Sequence, residues 1–365
     1  MTVVIYYMTV LCKAFDCFNS SAVENTMIRI RNRWFRWLAI ALASLVASIG
    51  IATVGFAATG VTPDQVLSAI EGTFGVNVGQ RRNHIKGTCA VGNFVATTEA
   101  KTYSRSPLFS GQSIPVVARF SLAGGNPKAP DTAKNPRGLG LQFQLPNNRF
   151  LNMALLNTPV FGVASPEGFY ENILAIRPDP TTGKPDPEKV KAFREKYPEN
   201  KAQAAFLASN NPPTSYANTS YFGLHAFKFI NQTNQTRLVR WQFVPQDGEK
   251  RLTDAELQAA PANFLEQKLI ERTQDSPVKW DFWITLGQPG DAEDNPTIAW
   301  PSDRQQVKVG TLTLTAASPQ PGAACEGINY DPLVLSDGIE PTNDPVLQFR
   351  SGVYALSYSK RTRGL

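Results

Sequence analysis

Two short stretches of the sequence combine residue types suited to proton transfer and to metal binding. The first is RRNHIKG, in which His84 is one of only two histidines in 365 residues and has Arg81, Arg82 and Lys86 beside it. Neighbouring positive charge disfavours imidazolium, so these cations predict a lowered pKa and a neutral imidazole at His84. A neutral imidazole can act as a general base. The other histidine, His225, lies in an alternating apolar stretch, where a structural role is expected.

The second stretch is DPVLQFRSGVYALSYSKRTRGL at the carboxyl end, where hydrophobic residues recur at helical spacing. On such a helix Arg350 and Tyr354 lie four residues apart and share a face. One interpretation is an ordinary contact between a cation and a ring on a packed helix. The other is a tyrosine whose phenolate form is stabilised by the arginine. Tyr358, one turn later, has Tyr354 and not an arginine four residues before it.

The segments between these stretches predict mostly strands, because they are rich in β-branched and aromatic residues. These segments are SIPVVARFSLAGG, LGLQFQL, YFGLHAFKFINQ, TRLVRWQFVP, KWDFWITLG and QVKVGTLTLTAA. Helices are expected over residues 61–75, over 186–209 with a break at Pro198, and over 252–273. This order predicts an α+β domain built around an antiparallel sheet or barrel with inserted helices.

The amino terminus has the pattern of a segment that directs export. Four arginines precede an uncharged run of 21 residues over 38–58, which is long enough to cross a bilayer. Small residues near its end also fit a cleavage site, so residues 27–60 are either a signal peptide or a membrane anchor. Residues 1–26 match neither role and could precede the true start at Met27. The body over 61–365 is then expected in the periplasm, or anchored on the outer side of the cytoplasmic membrane.

Charge and cysteine content limit the classes of protein that fit the body. Removing residues 1–58 takes away five basic and two acidic residues, so the net charge falls from +6 to +3. General nucleic-acid binding is therefore not expected. Cys89 and Cys325 are the cysteines of the body; they form either a disulfide, as an exported domain allows, or two buried thiols.

Four separated segments resemble, in order and in type, motifs of the haem catalase family, and the resemblance covers roughly residues 65–365. RRNHIKG is similar to R-x-x-H-A-K-G, and VARFSLAGG continuing to APDTAKNPRGLGLQF is similar to the R-F-S strand and its D-P-R-G-x-x-x-K-F continuation. LLNTPVF resembles N-N-T-P-V-F, and DPVLQFRSGVY resembles D-x-x-L-Q-x-R-x-x-x-Y. The resemblance implies a catalase-like antiparallel β-barrel, inserted helices, a carboxyl-terminal helix with the axial tyrosine, and haem b with its iron as cofactor.

The resemblance also implies a role for eight residues. Tyr354 would be the axial iron ligand with Arg350 as its partner, and His84 would be the acid and base on the opposite face of the haem. Ser121 would hydrogen-bond His84 and fix its tautomer, and the Asn157 amide would hold the peroxide. Three arginines would bind the haem propionates: Arg81, Arg119 and Arg361.

Two departures from the family pattern bear on activity. The sequence ends eleven residues after Tyr354, whereas family members continue much further, and it lacks much of the amino-terminal arm. The motif N-T-P-V-F is followed by Gly162 where many catalases have a second phenylalanine. Both departures predict a wider approach to the haem, through which organic reductants would compete with a second peroxide. The chain is therefore expected to resemble the small catalase-related peroxidases most.

Three functions are compatible with this sequence. The first is a haem peroxidase that reduces hydrogen peroxide or organic hydroperoxides with organic electron donors and has weak or no catalase activity. The second is isomerisation of fatty-acid hydroperoxides on the same scaffold, and the third is an exported haem-binding protein without enzymatic activity. Peroxide and small organic reductants are the expected partners, with membrane attachment through residues 38–58 if the leader is kept. The oligomeric state stays open.

Overall fold

Ten strands and seven α-helices occur within residues 60–365, the part of the chain that this computed structural model describes. The strands are β1 (Gly87–Ala96), β2 (Ser113–Leu122), β3 (Arg137–Leu145), β4 (Arg149–Leu156), β5 (Tyr221–Phe222), β6 (Phe227–Ile230), β7 (Thr236–Pro245), β8 (Val278–Leu286), β9 (Gln306–Pro319) and β10 (Ile339–Pro341). The helices are α1 (Pro63–Phe74), α2 (Pro166–Ala175), α3 (Pro187–Lys196), α4 (Lys201–Ser209), α5 (Asp254–Ala259), α6 (Phe264–Asp275) and α7 (Pro345–Thr362). The predicted export segment over residues 38–58 lies outside the described residues.

Eight of the strands close into an antiparallel barrel. In the order β1, β2, β3, β4, β5, β7, β8, β9, each strand pairs with the next, and β9 pairs back with β1. The shortest strand pairing in the ring joins β4 and β5, where Leu156 opposite Phe222 is the single residue pair in register. β6 continues the sheet from β7, and β10 pairs with β6. The predicted α+β class with an antiparallel barrel is confirmed.

Alternation along the strands separates the barrel core from an outer face. Large aromatic side chains fill the interior, and the rings of Phe243 and Phe282 stack with centroids 4.5 Å apart. On β2, β3 and β4 the residues Phe120, Leu139 and Leu155 belong to this core. Their chain neighbours therefore point to the outer face of the same strands, because successive side chains alternate.

Three helices cover part of that outer face. Val66 and Ile70 of α1 pack with Ile173 of α2 in a second apolar cluster, to which Phe349 and Val353 of α7 contribute. Each helix begins with an oxygen-bearing N-cap residue followed by proline: Thr62, Ser165 and Asp344 accept backbone hydrogen bonds from the first turn. Helix α2 is absent from the sequence prediction. Among residues 60–365, no helix combines the length and hydropathy required to cross a bilayer.

Two predicted elements are interrupted in the structure. The helix expected over residues 252–273 is divided into α5 and α6 around Pro261, since proline cannot continue a helix. The stretch YFGLHAFKF is not one strand, because Leu224 adopts a left-handed conformation with φ of 64° between β5 and β6. His225 lies in this break. The break at Pro198 between α3 and α4 agrees with the sequence prediction.

Cys89 of β1 and Cys325, which follows β9, form a disulfide with their Cα atoms 5.5 Å apart. Both residues are buried, and Tyr330 packs against them. The structure therefore has the disulfide and not the two buried thiols that were the alternative. It ties the segment after β9 to the barrel.

Candidate active site

A cavity of about 700 Å³ lies between the outer face of β2, β3 and β4 and the helices α1, α2, α4 and α7. Its lining includes seven of the eight residues that the sequence predicts for the site: His84, Ser121, Arg81, Arg119, Arg350, Tyr354 and Arg361. The eighth, Asn157, is absent from it. Residues separated by up to 280 positions are thus brought to one site by the barrel face and the terminal helix.

The backbone at His84 is in a left-handed conformation that directs the ring towards the barrel. Its φ is 52°, which is uncommon for a residue with a bulky side chain. Two hydrogen bonds to Asn83 Oδ1 stabilise this turn, one from His84 N and one from Gly124 N, both at 2.8 Å. His84 Nδ1 then lies 2.9 Å from Ser121 Oγ. The predicted contact between Ser121 and His84 is present.

Gly138 leaves the space that this contact needs. It pairs with Ser121 across β2 and β3. A Cβ atom at position 138 would lie 2.7 Å from Ser121 Oγ and 2.8 Å from His84 Nδ1, distances at which atoms overlap. Only glycine therefore permits the imidazole to lie against the barrel wall at this point.

The pKa of His84 is lowered to about 3, first by burial and then by the charges of Arg119, Arg350 and Arg81. The lowered pKa agrees with the prediction, but burial is its first cause, and of the three neighbouring cations in the prediction only Arg81 contributes. Arg82 pairs with Glu71 at 2.7 Å and Lys86 pairs with Asp131 at 2.7 Å, so these two cations are neutralised. The cations that act on the imidazole come mostly from distant parts of the sequence.

The three arginines expected to bind propionates gather around the segment that follows β9. Arg81 Nη2 donates to Ile328 O at 2.7 Å, and Arg361 Nη2 donates to the same carbonyl at 3.3 Å. Arg119 Nε donates to Gln320 Oε1 at 2.7 Å, and its Nη2 donates to His84 O at 2.8 Å. Their partners are backbone carbonyls and an amide, so these contacts leave the guanidinium charges unneutralised.

Burial and mutual repulsion raise the free energy of these charges. The pKa of Arg81 is lowered to about 9, first by burial and then by the charges of Arg119 and Arg361. Burial also lowers the pKa of Arg119 to about 10. Arg81 Nε is buried and has no hydrogen-bond partner among residues 60–365. Such a cluster is suited to an anionic ligand, which would supply both charge and acceptors.

Helix α7 presents Arg350 and Tyr354 to the cavity on one face. Arg350 Nη2 donates to Tyr354 Oη at 3.0 Å, so the guanidinium can stabilise the phenolate form. Tyr358, the rival tyrosine, also lines the cavity but is 36% exposed and has the Arg361 guanidinium over its ring. The geometry favours Tyr354, because it combines the cavity position with a hydrogen bond from a cation.

A chain of hydrogen bonds extends from Tyr354 into the protein. Arg350 Nη1 lies 3.0 Å from His225 Nε2, and His225 Nδ1 lies 2.6 Å from Asp344 Oδ2. Arginine can only donate, so Nε2 must accept and the proton of neutral His225 is on Nδ1, from which it donates to the carboxylate. The lowered pKa of His225, for which burial is the first cause, agrees with this neutral form.

Asp344 has two functions that sequence reasoning missed. Its Oδ1 accepts from the backbone N of Val346 and Leu347 at the start of α7, while its Oδ2 binds His225. An aspartate followed by proline is a helix-start signal and could have identified the cap. No local signal indicates the contact with His225, which is 119 residues away.

Asn157 does not contribute to the cavity. Its Oδ1 accepts from Arg137 N at 2.7 Å and its N donates to Arg137 O at 2.9 Å, which joins the ends of β3 and β4. Leu156, one residue earlier, lines the cavity. The Asn157 amide, which the sequence predicts to hold the peroxide, therefore lies one residue beyond the cavity lining. In the match of LLNTPVF to N-N-T-P-V-F, Leu156 stands at the first asparagine.

Gly162 does not widen the cavity as expected. A Cβ atom there would lie 2.5 Å from Gln203 Oε1 and 3.0 Å from Asn200 Nδ2, so these amides already occupy the space. Asn200 Nδ2 donates to Gly162 O at 3.0 Å, and Gln203 Nε2 donates to Thr158 Oγ1 at 3.0 Å. The glycine thus allows α4 to pack closely on this wall.

The chemistry of the lining fits haem. Within residues 60–365 the lining contains no aspartate or glutamate but seven cations: Arg81, Arg82, Arg119, Lys134, Arg194, Arg350 and Arg361. Apolar side chains of α1, α2 and α7 complete the walls, and the buried Tyr330 hydroxyl has no hydrogen-bond partner in the described part of the chain. A large apolar ring with two carboxylates and a metal that accepts a phenolate matches this set.

Comparison with known proteins agrees with these features. The family model for catalase matches residues 66–364. A catalase-related peroxidase of Mycolicibacterium paratuberculosis is 37% identical over 304 residues, which are 83% of this chain and 96% of that protein. A catalase of Schizosaccharomyces pombe is 31% identical over 298 residues, 77% of this chain and 58% of that protein. The structure of catalase A from Saccharomyces cerevisiae matches with a TM-score of 0.72 and 26% identity, over 78% of this chain and 62% of its own. The chain thus spans about three-fifths of the length of these two catalases.

Proposed function

Because the chain belongs to the catalase family and is therefore an oxidoreductase that acts on peroxide, we propose that it is a haem-dependent peroxidase. It reduces hydrogen peroxide or organic hydroperoxides with small organic electron donors, and its catalase activity is weak or absent. One observation carries the proposal: His84, with a neutral imidazole, and Tyr354, with Arg350 beside its hydroxyl, line the same cavity. A relative that is matched over 96% of its own length is a catalase-related peroxidase.

Proteins of this family bind haem, and the residues of this cavity divide naturally among its parts. Tyr354 would ligate the iron through its phenolate, with Arg350 stabilising the negative charge. Arg81, Arg119 and Arg361 would pair with the propionates. Haem b, when bound, supplies the iron that exchanges electrons with peroxide and with the reductant.

His84 moves the proton in the proposed reaction. Its Nε2 has no hydrogen-bond partner within the described chain, while Nδ1 faces Ser121 Oγ. In the tautomer with the proton on Nδ1, the imidazole donates to Ser121, and Nε2 is free to accept. It takes a proton from one peroxide oxygen and returns it to the other, which leaves as water or as an alcohol.

Leu156 supports peroxidase turnover over dismutation. Dismutation requires a second hydrogen peroxide to be held and oxidised in the same place, and such a small polar molecule needs hydrogen-bond partners there. Leu156 contributes an apolar side chain to the wall instead of an amide. Apolar reductants or hydroperoxides bind to such a wall more readily than hydrogen peroxide does.

Three assays on haem-loaded protein test the proposal. Hydrogen peroxide with a dye reductant should give steady turnover, and an oxygen electrode should detect little or no oxygen from hydrogen peroxide alone. A fatty-acid hydroperoxide without reductant should not be consumed catalytically. Rapid oxygen release would establish a catalase, consumption of the lipid hydroperoxide alone would establish an isomerase, and no turnover at all would establish a haem-binding protein.

We also propose that the body is exported, through a leader that is either cleaved or kept as an anchor over residues 38–58. The disulfide between Cys89 and Cys325 supports this proposal, because disulfides persist in oxidising compartments. Fractionation of cells that produce the full chain tests it. Recovery of the protein with its thiols reduced in the cytoplasmic fraction would contradict it.

A further inference from the structure

The disulfide between Cys89 and Cys325 lies beside the arginines that the proposed function assigns to the propionates. Cys89 is opposite Arg119 in the pairing of β1 with β2. The carbonyl oxygen of Cys325 accepts from Arg81 Nη2 at 3.2 Å. Tyr330 packs against the disulfide and lines the cavity, and the Arg81 guanidinium lies 5.7 Å from the centre of its ring. The crosslink is therefore next to the site and not in a remote part of the fold.

All three arginines donate to the crosslinked segment, residues 320–330. Arg81 and Arg361 share Ile328 O as an acceptor. Arg119 Nε donates to a glutamine side chain at the start of the segment. The segment that the disulfide ties to β1 thus supplies hydrogen-bond acceptors to every arginine of the group.

Each of these arginines keeps N–H groups that no residue in 60–365 accepts. They are the N–H groups of Arg81 Nε and Nη1, of Arg119 Nη1 and of Arg361 Nε. The protein acceptors thus occupy part of each guanidinium and leave another part for a ligand. A carboxylate suits such a group, because it can accept two parallel hydrogen bonds from one guanidinium.

The disulfide is the covalent anchor of a segment that is otherwise irregular. No helix or strand lies between β9 and β10. Within the described chain the backbone groups of the segment bond to other backbone groups only locally, from Ala323 N to Gln320 O and from Glu326 N to Ala323 O, each at 3.0 Å. Near its end, Asn152 Nδ2 donates to Asn329 O at 3.0 Å. The disulfide therefore fixes the middle of a segment whose other polar contacts are mostly with the arginines.

From this arrangement we infer that Cys89 and Cys325 are positioning residues: their disulfide holds the arginines in place for the propionates, so the oxidised protein retains haem more tightly than the reduced protein. The inference rests on the proposed function, because it concerns haem in the same cavity. The charge of Arg81 is repelled by those of Arg119 and Arg361. Acceptors that are fixed before the ligand arrives keep these charges together, which lowers the free-energy cost of ordering them on binding.

Haem release from two redox forms of the full-length wild-type protein tests the inference. The reduced form is produced under reducing conditions. Oxidation with glutathione disulfide then forms the S–S bond, and glutathione carries away the two electrons and two protons. Mass spectrometry of peptides verifies the crosslink, and transfer of haem to excess apomyoglobin, followed by absorbance, gives the release rate. We expect the oxidised form to release haem about tenfold more slowly, the effect of about one charge-assisted hydrogen bond.

Haem dimethyl ester is the matched ligand that distinguishes positioning from a general loosening of the fold. It keeps the iron and the apolar ring but lacks the propionate charges. Because the ester offers no charge to the arginines, its release rate should differ between the two forms by less than about twofold. An equal change for haem and for the ester would overturn the inference, since the disulfide would then only stabilise the fold. Equal haem release from both forms would also overturn it.

The variant that carries both Cys89→Ala and Cys325→Ala should release haem at the rate of the reduced wild type, with or without oxidant. Ser351→Ala is the control, because it removes a hydrogen bond to Asp331 just after the crosslinked segment and lies outside the cavity lining. It should keep the wild-type rates in both forms. Release from the double variant as slow as from the oxidised wild type would contradict the positioning role.

Iron-free protoporphyrin IX separates this inference from the proposed function. Its fluorescence reports binding of the ring and its propionates without iron and without peroxide. Tighter binding to the oxidised form, with no such difference for protoporphyrin dimethyl ester, supports the inference even if no peroxide is reduced. Equal affinities in both forms, together with steady peroxidase turnover, would keep the proposed function and reject the inference.

Discussion

The two histidines of the chain differ in how many of their ring nitrogens have a hydrogen-bond partner. His225 is buried and His84 is half-buried in the cavity wall, and burial is the first cause of a lowered pKa in each. His225 has both ring nitrogens engaged, by Asp344 on one side and by Arg350 on the other. His84 has one nitrogen engaged by Ser121 and the other directed to no described residue.

This difference separates a residue that holds the site from a residue that reacts in it. A neutral imidazole with both nitrogens bonded cannot accept a proton without losing a partner, so His225 positions Arg350, which in turn contacts Tyr354. His84 keeps an acceptor free while Ser121 fixes its ring. The pKa values point in the same direction for both residues, so hydrogen bonding is the property that distinguishes them.

The largest expected effect is at Tyr354, where the hydrogen bonds that run from His225 through Arg350 end. Tyr354→Phe removes the phenolate, so we expect haem content to fall at least tenfold after purification, measured by absorbance of the extracted haem. Tyr358→Phe is the control and should retain haem, because Tyr358 is exposed and lacks a hydrogen bond from Arg350. Full haem content with an unchanged spectrum in Tyr354→Phe would move the ligand elsewhere.

Substitution of His84, which carries the free nitrogen, should slow the reaction with peroxide and leave haem binding intact. We expect His84→Ala to slow the reaction of haem-loaded protein with peroxide by about 10²- to 10⁴-fold, measured by stopped-flow absorbance, because the general base is lost. Haem content should stay close to that of the wild type. A reaction rate within threefold of the wild type would show that His84 is not the base.

His225 should show the opposite pattern. His225→Ala leaves Asp344 and Arg350 without their shared partner, so we expect a loss of about 2 to 3 kcal/mol in unfolding free energy, measured with urea on haem-loaded protein. The peroxide reaction should slow less than tenfold. His225→Gln, whose amide can donate and accept, should recover part of the stability. A peroxide reaction slowed as strongly as in His84→Ala would remove the distinction between the two sites.

The pH dependence tests whether His84 stays neutral during turnover. With a pKa lowered to about 3, His84 should keep the rate of the peroxide reaction constant within about twofold from about pH 8 down to about pH 5. The same shift links to stability: the contribution of neutral His84 is complete above the unfolded pKa of about 6.5 and is lost as pH falls towards 3. A loss of rate centred near pH 6.5 would mean that the imidazole titrates as in water.

The smallest effect is expected at Leu156. Leu156→Asn places an amide on the wall that Leu156 now lines, so we expect a two- to tenfold increase in the rate with hydrogen peroxide, since one hydrogen bond contributes about 1 kcal/mol. The rate with cumene hydroperoxide serves as the internal control and should not increase. Equal changes for both peroxides would indicate a general change in the cavity.

Local patterns were sufficient for the parts of the site that lie within one element. The pair Arg350 and Tyr354 follows from helical spacing, and the helix starts follow from caps and prolines. The barrel class follows from alternating segments, although the long-range pairings that the ring needs, β7 with β8 and β9 with β1, have no local signal. These features depend on contacts within a few residues.

Contacts between distant segments could not be predicted in the same way. Lys86 pairs with Asp131 and Arg82 pairs with Glu71, so of the three cations beside His84 in sequence only Arg81 lowers its pKa, together with Arg119 and Arg350 from distant segments. Asn157 directly follows β4. Leu156, one residue earlier, lines the cavity, whereas Asn157 bonds to the start of β3, so a shift of one residue changes what the side chain contacts. Side-chain direction there is set by strand pairing, which the sequence of one segment does not contain.

The crosslink between residues 89 and 325 spans 236 positions of the chain and joins β1 to the segment just after β9. These two strands are neighbours in the closed ring, with Cys89 opposite Ser318. A molecule that has oxidised this pair has already brought the first and the last long strand together. The crosslink therefore holds covalently the seam between β1 and β9, one of the pairings that the closed ring requires.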